Sequence, residues 1–294
     1  MKRAFFIVGP TAVGKSELAA EVAKRIAAEV VSADAFQIYR GLDLLTAKPD
    51  RVTLSKAPHH LIGAVPLSEE MNAEKYRAAA AKIISRGHPV IVVGGTGFYV
   101  KALIDGLPRL PAASSNLRKK LDSTTNQELF QCLQRLDPAA AAKIDRNNRR
   151  RLIRAVEVCL LTRKPFSEQR PPAQSTADGI LVTRDRDELY RRINQRVEEM
   201  FAAGVVEEVR AAKDVRVTAG NTLGLREIRA LIAGEISQDE CIAKIQQSTR
   251  RYAKRQLTWF RRQTNFPSLN LSAHDPAEAV ELISQSASRV FAGE

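Results

Sequence analysis

Hydrophobic positions along the chain fall into two regimes. Over roughly the first hundred residues, short apolar runs alternate with amphipathic stretches. Residues 4–8 read as a buried strand, residues 28–32 as a shorter one that delivers Asp34, and residues 89–93 as a third. Between them, residues 72–85 carry Tyr76, Ala79, Ala80, Ile83 and Ile84 at helical spacing, and another helical pattern runs over residues 17–24. Strands alternating with helices predict an α/β fold, a parallel sheet flanked by helices. Ligands in such sheets bind beyond the carboxyl ends of the strands, which places Asp34 and the turn after residue 93 on one rim.

After about residue 108 the pattern changes. Residues 108–115 form a Pro/Ser-rich joint, and residues 116–163 are rich in Ala, Leu, Arg and Gln and read as helices. Residues 165–175 form a loop with three prolines, residues 179–183 look like one more strand, and helices dominate from 187 to 262. A last helical pattern covers 278–291, and no internal repeat is present. The expected organisation is a core of residues 1–112 and 186–294, ending in basic helices, with a mainly helical insertion over 113–185.

Chemistry enters with the segment that follows the first strand. Gly9, Pro10, Thr11, Ala12, Val13, Gly14, Lys15 and Ser16 match the phosphate-binding pattern G-x-x-x-x-G-K-[ST], set between a strand and a helix. Backbone N–H groups and the helix N-terminus cradle a polyphosphate in such a loop. Lys15 supplies a point charge and Ser16 a hydroxyl for Mg²⁺. In P-loop ATPases and GTPases another strand commonly ends in an acid that organises Mg²⁺. Here the strand over 89–93 runs into Gly94, Gly95, Thr96 and Gly97 with no carboxylate. Asp34 is the acid at a strand tip, as a metal organiser, a general base or a turn aspartate. Thr96 is either a substrate contact or a turn residue.

Charge changes the picture again. Lys plus Arg number 46 against 33 Asp plus Glu, a net +13, and the excess is clustered. One cluster spans 146–154. The other spans 249–262, where Arg251, Lys254, Arg255, Thr258 and Arg262 make one helical stripe and Ala253, Leu257 and Phe260 a separate apolar one. A basic stripe on an anchored helix suits a phosphodiester backbone; the alternative is a solvated charged face. Arg192 and Arg196 are i, i+4 neighbours within reach of a shared anion, or pair with Glu198 and Glu199. Trp259 is expected to pack, and His59 with His60 to be structural or at a substrate edge. No apolar run approaches a membrane span, and a cleaved signal peptide is not expected. Cys132, Cys159 and Cys241 lack metal-ligand spacing and point to a reducing cytoplasm.

Taken in order, residues 9–16, 34–39, 46–49, 58–62, 93–99, 151–158, 189–193 and 249–262 resemble the bacterial tRNA dimethylallyltransferases, the isopentenyltransferases that modify adenosine beside the anticodon. The resemblance runs over roughly residues 4–262. It implies transfer of a dimethylallyl group from dimethylallyl diphosphate to N6 of an adenine flipped out of the anticodon loop, with Mg²⁺ as cofactor. It implies that the phosphate loop and Arg196 hold the leaving diphosphate, that Asp34 accepts the N6 proton and that Thr96 holds the adenine. Ala35, Phe36 and Gln37 would contact the tRNA with them. Arg118, Arg150, Arg151, Leu152, Ile153 and Arg154 match tRNA-binding positions, and Arg251, Lys254 and Arg255 are expected to join them. A monomer is expected. The chain departs from the family pattern at Ala35, usually Ser; at Leu44 and Leu45, usually Ile-Gly; at Gly63, usually an acid; and at residues 223–225, usually Ile-Gly-Tyr. A nucleoside or small-molecule kinase and a nucleotide-switched RNA-binding protein are the rival readings.

Overall fold

The computed structural model describes residues 4–169 and 176–293. The chain divides into two compact units, one of Met1–Ile104 with Ser175–Glu294 and one of Asp105–Gln174.

The first unit begins β1 (Ala4–Val8), α1 (Lys15–Arg25), β2 (Glu29–Ser32), α2 (Arg51–Leu54), β3 (His59–His60), α3 (Ala73–Ile84), β4 (Val90–Gly94) and α4 (Gly97–Asp105). The second unit contributes α5 (Ser115–Asp122), α6 (Asn126–Leu136), α7 (Pro138–Ala141), α8 (Arg149–Thr162) and a 3₁₀ turn at Phe166–Glu168. The first unit resumes with β5 (Asp178–Thr183), α9 (Arg186–Ala202), α10 (Val205–Ala211), α11 (Val217–Gly220), α12 (Leu225–Ile232), α13 (Gln238–Gln263), β6 (Ser268–Asn270) and α14 (Pro276–Ala292).

The six strands of the described residues form one parallel sheet in the order β3-β2-β4-β1-β5-β6. Every residue of β1 and β4 is buried, which is why both read as unbroken apolar runs. Chain order steps outward from β1 to β2 and β3, returns to β4, and then crosses to β5 on the far side of β1. The crevice at such a reversal opens beyond the carboxyl ends of β1 and β4. The loops at residues 9–14 and 95–96 end there, and β2 brings Asp34 to the same rim.

The expected insertion ran through residue 185, but β5 pairs with β1 from Phe5↔Asp178 to Val8↔Leu181 and belongs to the sheet. Two short strands escaped the sequence pattern. β3 and β6 have two and three residues, too few for any periodicity, and parallel pairing with β2 and β5 alone defines them. The C-terminal helix packs on the sheet: Ala279, Ile283 and Ala287 of α14 join Ala19, Val22 and Ala23 of α1 in one core cluster. A second cluster is helical, with Val197 and Met200 of α9, Val205 and Val209 of α10, and Ile245 of α13 around Leu42 and Leu45.

In the second unit, α5, α6 and α8 enclose a core that includes Leu121, Leu129, Leu133, Leu152 and Val156. Glu157, 0% exposed, faces that core from α8. Its carboxylate accepts Arg118 Nε (3.0 Å) and Nη2 (3.1 Å), Arg154 Nη1 (2.7 Å) and the Ser114 amide (2.9 Å). Burial works to raise its pKa, but these donors outweigh burial and hold it below the usual carboxylate value of 4.5. A carboxyl with a depressed folded-state pKa stabilises the fold above its unfolded value and loses that contribution as pH falls through the folded one. Glu157→Gln should therefore weaken amide-exchange protection of α8 in the full chain at pH 7 by about 1–3 kcal/mol. The difference from the parent should shrink as the pH is taken below 4.5. A difference that persists undiminished into strong acid contradicts this role.

Candidate active site

Between β1 and α1 the backbone turns through two left-handed residues, Ala12 (φ 64°) and Gly14 (φ 99°). Gly14 caps α1 without a side chain, so the first-turn amides have no intrahelical partner. The carbonyls of the loop are tied down by cations. Lys15 Nζ donates to Pro10 O (3.1 Å), Arg192 Nε to Ala12 O (2.9 Å) and Arg184 Nε to Val13 O (2.9 Å). The Thr11 amide donates to Gln256 Oε1 (2.8 Å). With its accepting side satisfied, the loop offers the positive end of α1 and its unpaired N–H groups to an anion.

Lys15 is pushed down to about 8 by burial, with the Asp34 carboxylate opposing and the Arg196 guanidinium assisting. Arg196 donates from Nη1 to Thr11 Oγ1 (3.1 Å). Burial lowers its pKa, Asp34 opposes that shift and Arg192 adds to it. Lys15 and Arg196 thus share one poorly hydrated place, each made costlier by the other. An entering anion relieves both.

Asp34 accepts the Phe36 (2.9 Å) and Gln37 (3.2 Å) amides, both on Oδ1. This is an Asx turn, which leaves Oδ2 without a hydrogen-bond partner among the described residues. Thr96 Oγ1 accepts the Ala35 amide (2.9 Å), and the Thr96 amide donates to Ala33 O (3.1 Å), so the loops after β2 and β4 are stitched together. Gln37 Nε2 donates to Ala47 O (3.0 Å) and its Oε1 accepts Ser32 Oγ (3.3 Å). Tyr252 adds a hydroxyl beside Thr96 and Gln256, its pKa raised by burial and then by Asp34.

Gln256, 5% exposed, joins the two halves of the rim. Its Oε1 holds the Thr11 amide and its Nε2 donates to Gly95 O (2.8 Å). A Cβ on Gly95 would overlap Gln256 Nε2, and one on Gly97 would overlap the Trp259 ring. The glycine run after β4 therefore lets α13 approach.

The resulting hollow has two parts. Lys15, Ser16, Lys48, Arg192 and Arg196 line a polar cleft of about 420 Å³. Phe36, Leu45, Val197, Met200, Leu223 and Ile245 line an apolar pocket. The two share Thr11, Ala12, Asp34, Thr46 and Arg196. Among the described residues no three His, Cys, Asp or Glu side chains group as a metal site. The cleft offers oxygen donors, Ser16 Oγ with the nearby Asp34 carboxylate. That sparse set fits Mg²⁺, which takes one or two protein oxygens and completes its shell with phosphate and water.

Other expected residues lie elsewhere. Arg251, Lys254, Arg255, Thr258 and Arg262 are all exposed along α13, whereas Ala253, Gln256 and Phe260 are buried. The inward stripe thus runs through Gln256, and Leu257 is half-buried. In the second unit, Arg150 and Arg151 are exposed in the first turn of α8, which holds no acid. Cations there oppose the helix dipole. Arg149 offsets its own cost by donating to the Leu121, Asp122 and Thr124 carbonyls at the end of α5. Arg118 and Arg154 are held by Glu157. Leu152 and Ile153, expected at the tRNA contact, are 0% and 9% exposed, with their side chains in the core. Arg192 is drawn to the phosphate loop rather than to Glu198 or Glu199. His60 Nε2 meets Glu29 Oε2 (2.8 Å) at the sheet edge, and His59 Nδ1 meets Ala57 O (2.7 Å), so both are structural here. Gln256, Tyr252 and Arg184 had not been singled out. Only Gln256 carried a signal, a polar residue three after Ala253 and four before Phe260 on the apolar stripe.

Comparison with known proteins agrees with this geometry. Residues 37–263 match the family model described as IPP transferase. A tRNA dimethylallyltransferase of Geobacter sulfurreducens is 44% identical over 87% of this chain and 88% of its own length. One from Koribacter versatilis is 40% identical over 96% and 98%. Among solved structures, a tRNA isopentenylpyrophosphate transferase of Bacillus halodurans superposes with a TM-score of 0.73 at 34% identity, over 100% of this chain and 98% of that one. A eukaryotic dimethylallyltransferase acting on tRNA shares the fold, with a TM-score of 0.81 at 24% identity over 99% and 80%. With a loop of the phosphate-binding pattern joined to an apolar pocket and similarity of this breadth, the chain belongs to the IPP transferase family.

Proposed function

We propose that this chain transfers a dimethylallyl group from dimethylallyl diphosphate to the exocyclic N6 of adenosine 37, 3′-adjacent to the anticodon, in tRNAs that read codons beginning with U. The observation that carries the reading is the union of a cationic cleft with an apolar pocket at Asp34 and Arg196. A prenyl diphosphate has that two-part character: a polyanion at one end, a short hydrocarbon at the other, and a reacting carbon between them.

In this account the diphosphate lies on the phosphate loop, against Lys15, Arg196 and the amides of the first turn of α1. The C1–O bond breaks, its electron pair leaves with the diphosphate, and the N6 lone pair forms the new C–N bond. Negative charge grows on the departing oxygen, where preorganised donors stabilise it most. Mg²⁺, held by Ser16, would neutralise part of that charge. Asp34 takes the proton that N6 sheds, through the oxygen that its own turn leaves unpaired. Thr96, buttressed by Tyr252, holds the adenine edge. Unstacked loop bases expose such edges, and a flipped adenine reaches a recessed site. Arg251, Lys254 and Arg255, together with Arg150 and Arg151 of the second unit, supply phosphate contacts. The work is cytoplasmic, in keeping with three free cysteines.

Asp34→Asn tests the base. Single-turnover prenyl transfer should fall about 10²–10⁴-fold, while tRNA affinity by filter binding stays unchanged. Full rate in the variant excludes Asp34 from proton removal.

Lys15 gives a second test. It is charged below about 8 and neutral above, and anion binding needs the charge. The affinity for a dimethylallyl thiolodiphosphate, which keeps its diphosphate attached, should hold below that pH. It should then fall as pH rises, toward a limit of about tenfold per pH unit. An affinity that is flat to pH 10 contradicts a binding role for the Lys15 charge.

A further inference from the structure

Residues 42–48 coil into a single turn. The Thr46 amide donates to Leu42 O (3.1 Å), the Ala47 amide to Leu44 O (3.0 Å) and the Lys48 amide to Asp43 O (3.0 Å). Ala47 ends the turn in the left-handed region (φ 44°). A turn this short cannot satisfy its own first amides, those of Asp43, Leu44 and Leu45.

Glu208 of α10 caps all three from a distant part of the chain. The Asp43 (2.6 Å) and Leu44 (2.8 Å) amides donate to its Oε1, and the Leu45 amide (2.9 Å) donates to its Oε2. Hydrogen bonds to an ionised carboxylate are shorter and stronger than neutral ones, and three successive N–H groups make a natural anion cradle. The neighbouring Glu207 pairs with Arg210, one turn along the same helix. Glu208 instead fixes a remote backbone.

The far end of the turn leads to the site. Gln37 Nε2 donates to Ala47 O (3.0 Å) and Thr46 O (3.4 Å), and the Gln37 amide donates to Asp34 Oδ1 (3.2 Å). The Asx turn that leaves Asp34 Oδ2 unpaired is therefore held, at one of its two amides, by a residue whose side chain is anchored on the capped turn. Leu42 and Leu45 also pack in one cluster with Val205 and Val209 of α10. Loss of the carboxylate thus frees the hydrogen-bonded frame while the apolar contact persists.

We propose that Glu208 is a positioning residue for Asp34, acting through the turn at 42–47 and Gln37. This rests on the proposed role of Asp34 as the base of the transfer. Glu208 touches no substrate in this account. Its carboxylate keeps Gln37, and through it the Asp34 carboxylate, in place for the N6 amine.

A double-mutant cycle on the full chain tests this, with dimethylallyl diphosphate, Mg²⁺ and unmodified tRNA. Glu208→Ala should lower the single-turnover rate at saturating substrates about 10–100-fold, the cost of a small misplacement of a reacting group. Half-saturation by the donor should stay within about threefold of the parent, because an interaction needed only for the transfer step leaves binding alone. Gln37→Ala should also lower the rate, and adding Glu208→Ala to it should lower it little further, as expected of residues in one hydrogen-bonded chain. Glu208→Gln keeps one acceptor oxygen for the turn. It should fall between the parent and the alanine variant, and it stands in if the alanine variant does not fold. Losses that multiply in the double variant, a full rate in folded Glu208→Ala, or a loss confined to donor half-saturation overturns the proposal and leaves the transfer reading intact. No transfer by the folded parent overturns both.

Discussion

The buried amide of Gln256 accepts the Thr11 amide of the phosphate loop and donates to the Gly95 carbonyl after β4. Among the described residues no other side chain of α13 bonds both loops, and its removal would strand the Thr11 amide and the Gly95 carbonyl at about 1–3 kcal/mol each. The consequences extend well beyond those two bonds. Gln256 seats α13 against the sheet, which is possible because residues 95 and 97 are glycines. Seating the helix brings Tyr252 to Thr96 and turns Arg251, Lys254 and Arg255 outward to solvent. One helix therefore holds the phosphate loop, the Thr96 turn and the basic surface in a fixed relation.

Electrostatics then decides what the cradle is for. Arg184 and Arg192 tether two of the loop's carbonyls from outside, and Lys15 and Arg196 line the cleft together with Asp34. This site favours an anion already at hand and gains most when charge increases on it. A kinase or hydrolase needs an acid beyond β4 to organise metal and nucleophile, and that strand ends in glycines. What lies beside the cleft is a pocket walled on its apolar side by Phe36, Leu45, Val197, Met200, Leu223 and Ile245, which suits a hydrocarbon better than a sugar. The arrangement suits a leaving group better than a phosphate to be transferred.

Much of the sheet and the phosphate loop was legible in the sequence, because buried parallel strands leave unbroken apolar runs and the loop has fixed chemistry. Asp34 and Thr96 could be placed on one rim by strand order, whereas Arg196 was legible only as the helical neighbour of Arg192 and through the family resemblance. The surface stripe on α13 was legible for the same reason, since five polar positions at helical spacing are exposed together. Less visible was whatever depends on pairing across long sequence distance. β3 and β6 exist only through their neighbours, and Gln256 looks like one more polar residue until its partners, 245 and 161 residues away, are in place. Arg154 read as part of a basic segment and Arg118 as a tRNA-binding position implied by the resemblance, and only the buried Glu157 shows that both also hold the second unit together. Leu152 and Ile153 lie within a basic segment but point inward, because a helix cannot expose every face.

The most direct measurement follows both ends of the donor at once. Dimethylallyl diphosphate labelled in its hydrocarbon and in its phosphorus is incubated with folded protein, Mg²⁺ and unmodified tRNA containing adenosine 37. The account predicts that the hydrocarbon label enters the RNA at that adenosine while all the phosphorus leaves as diphosphate. Phosphorus label in the RNA, or no label in the RNA at all, would contradict it.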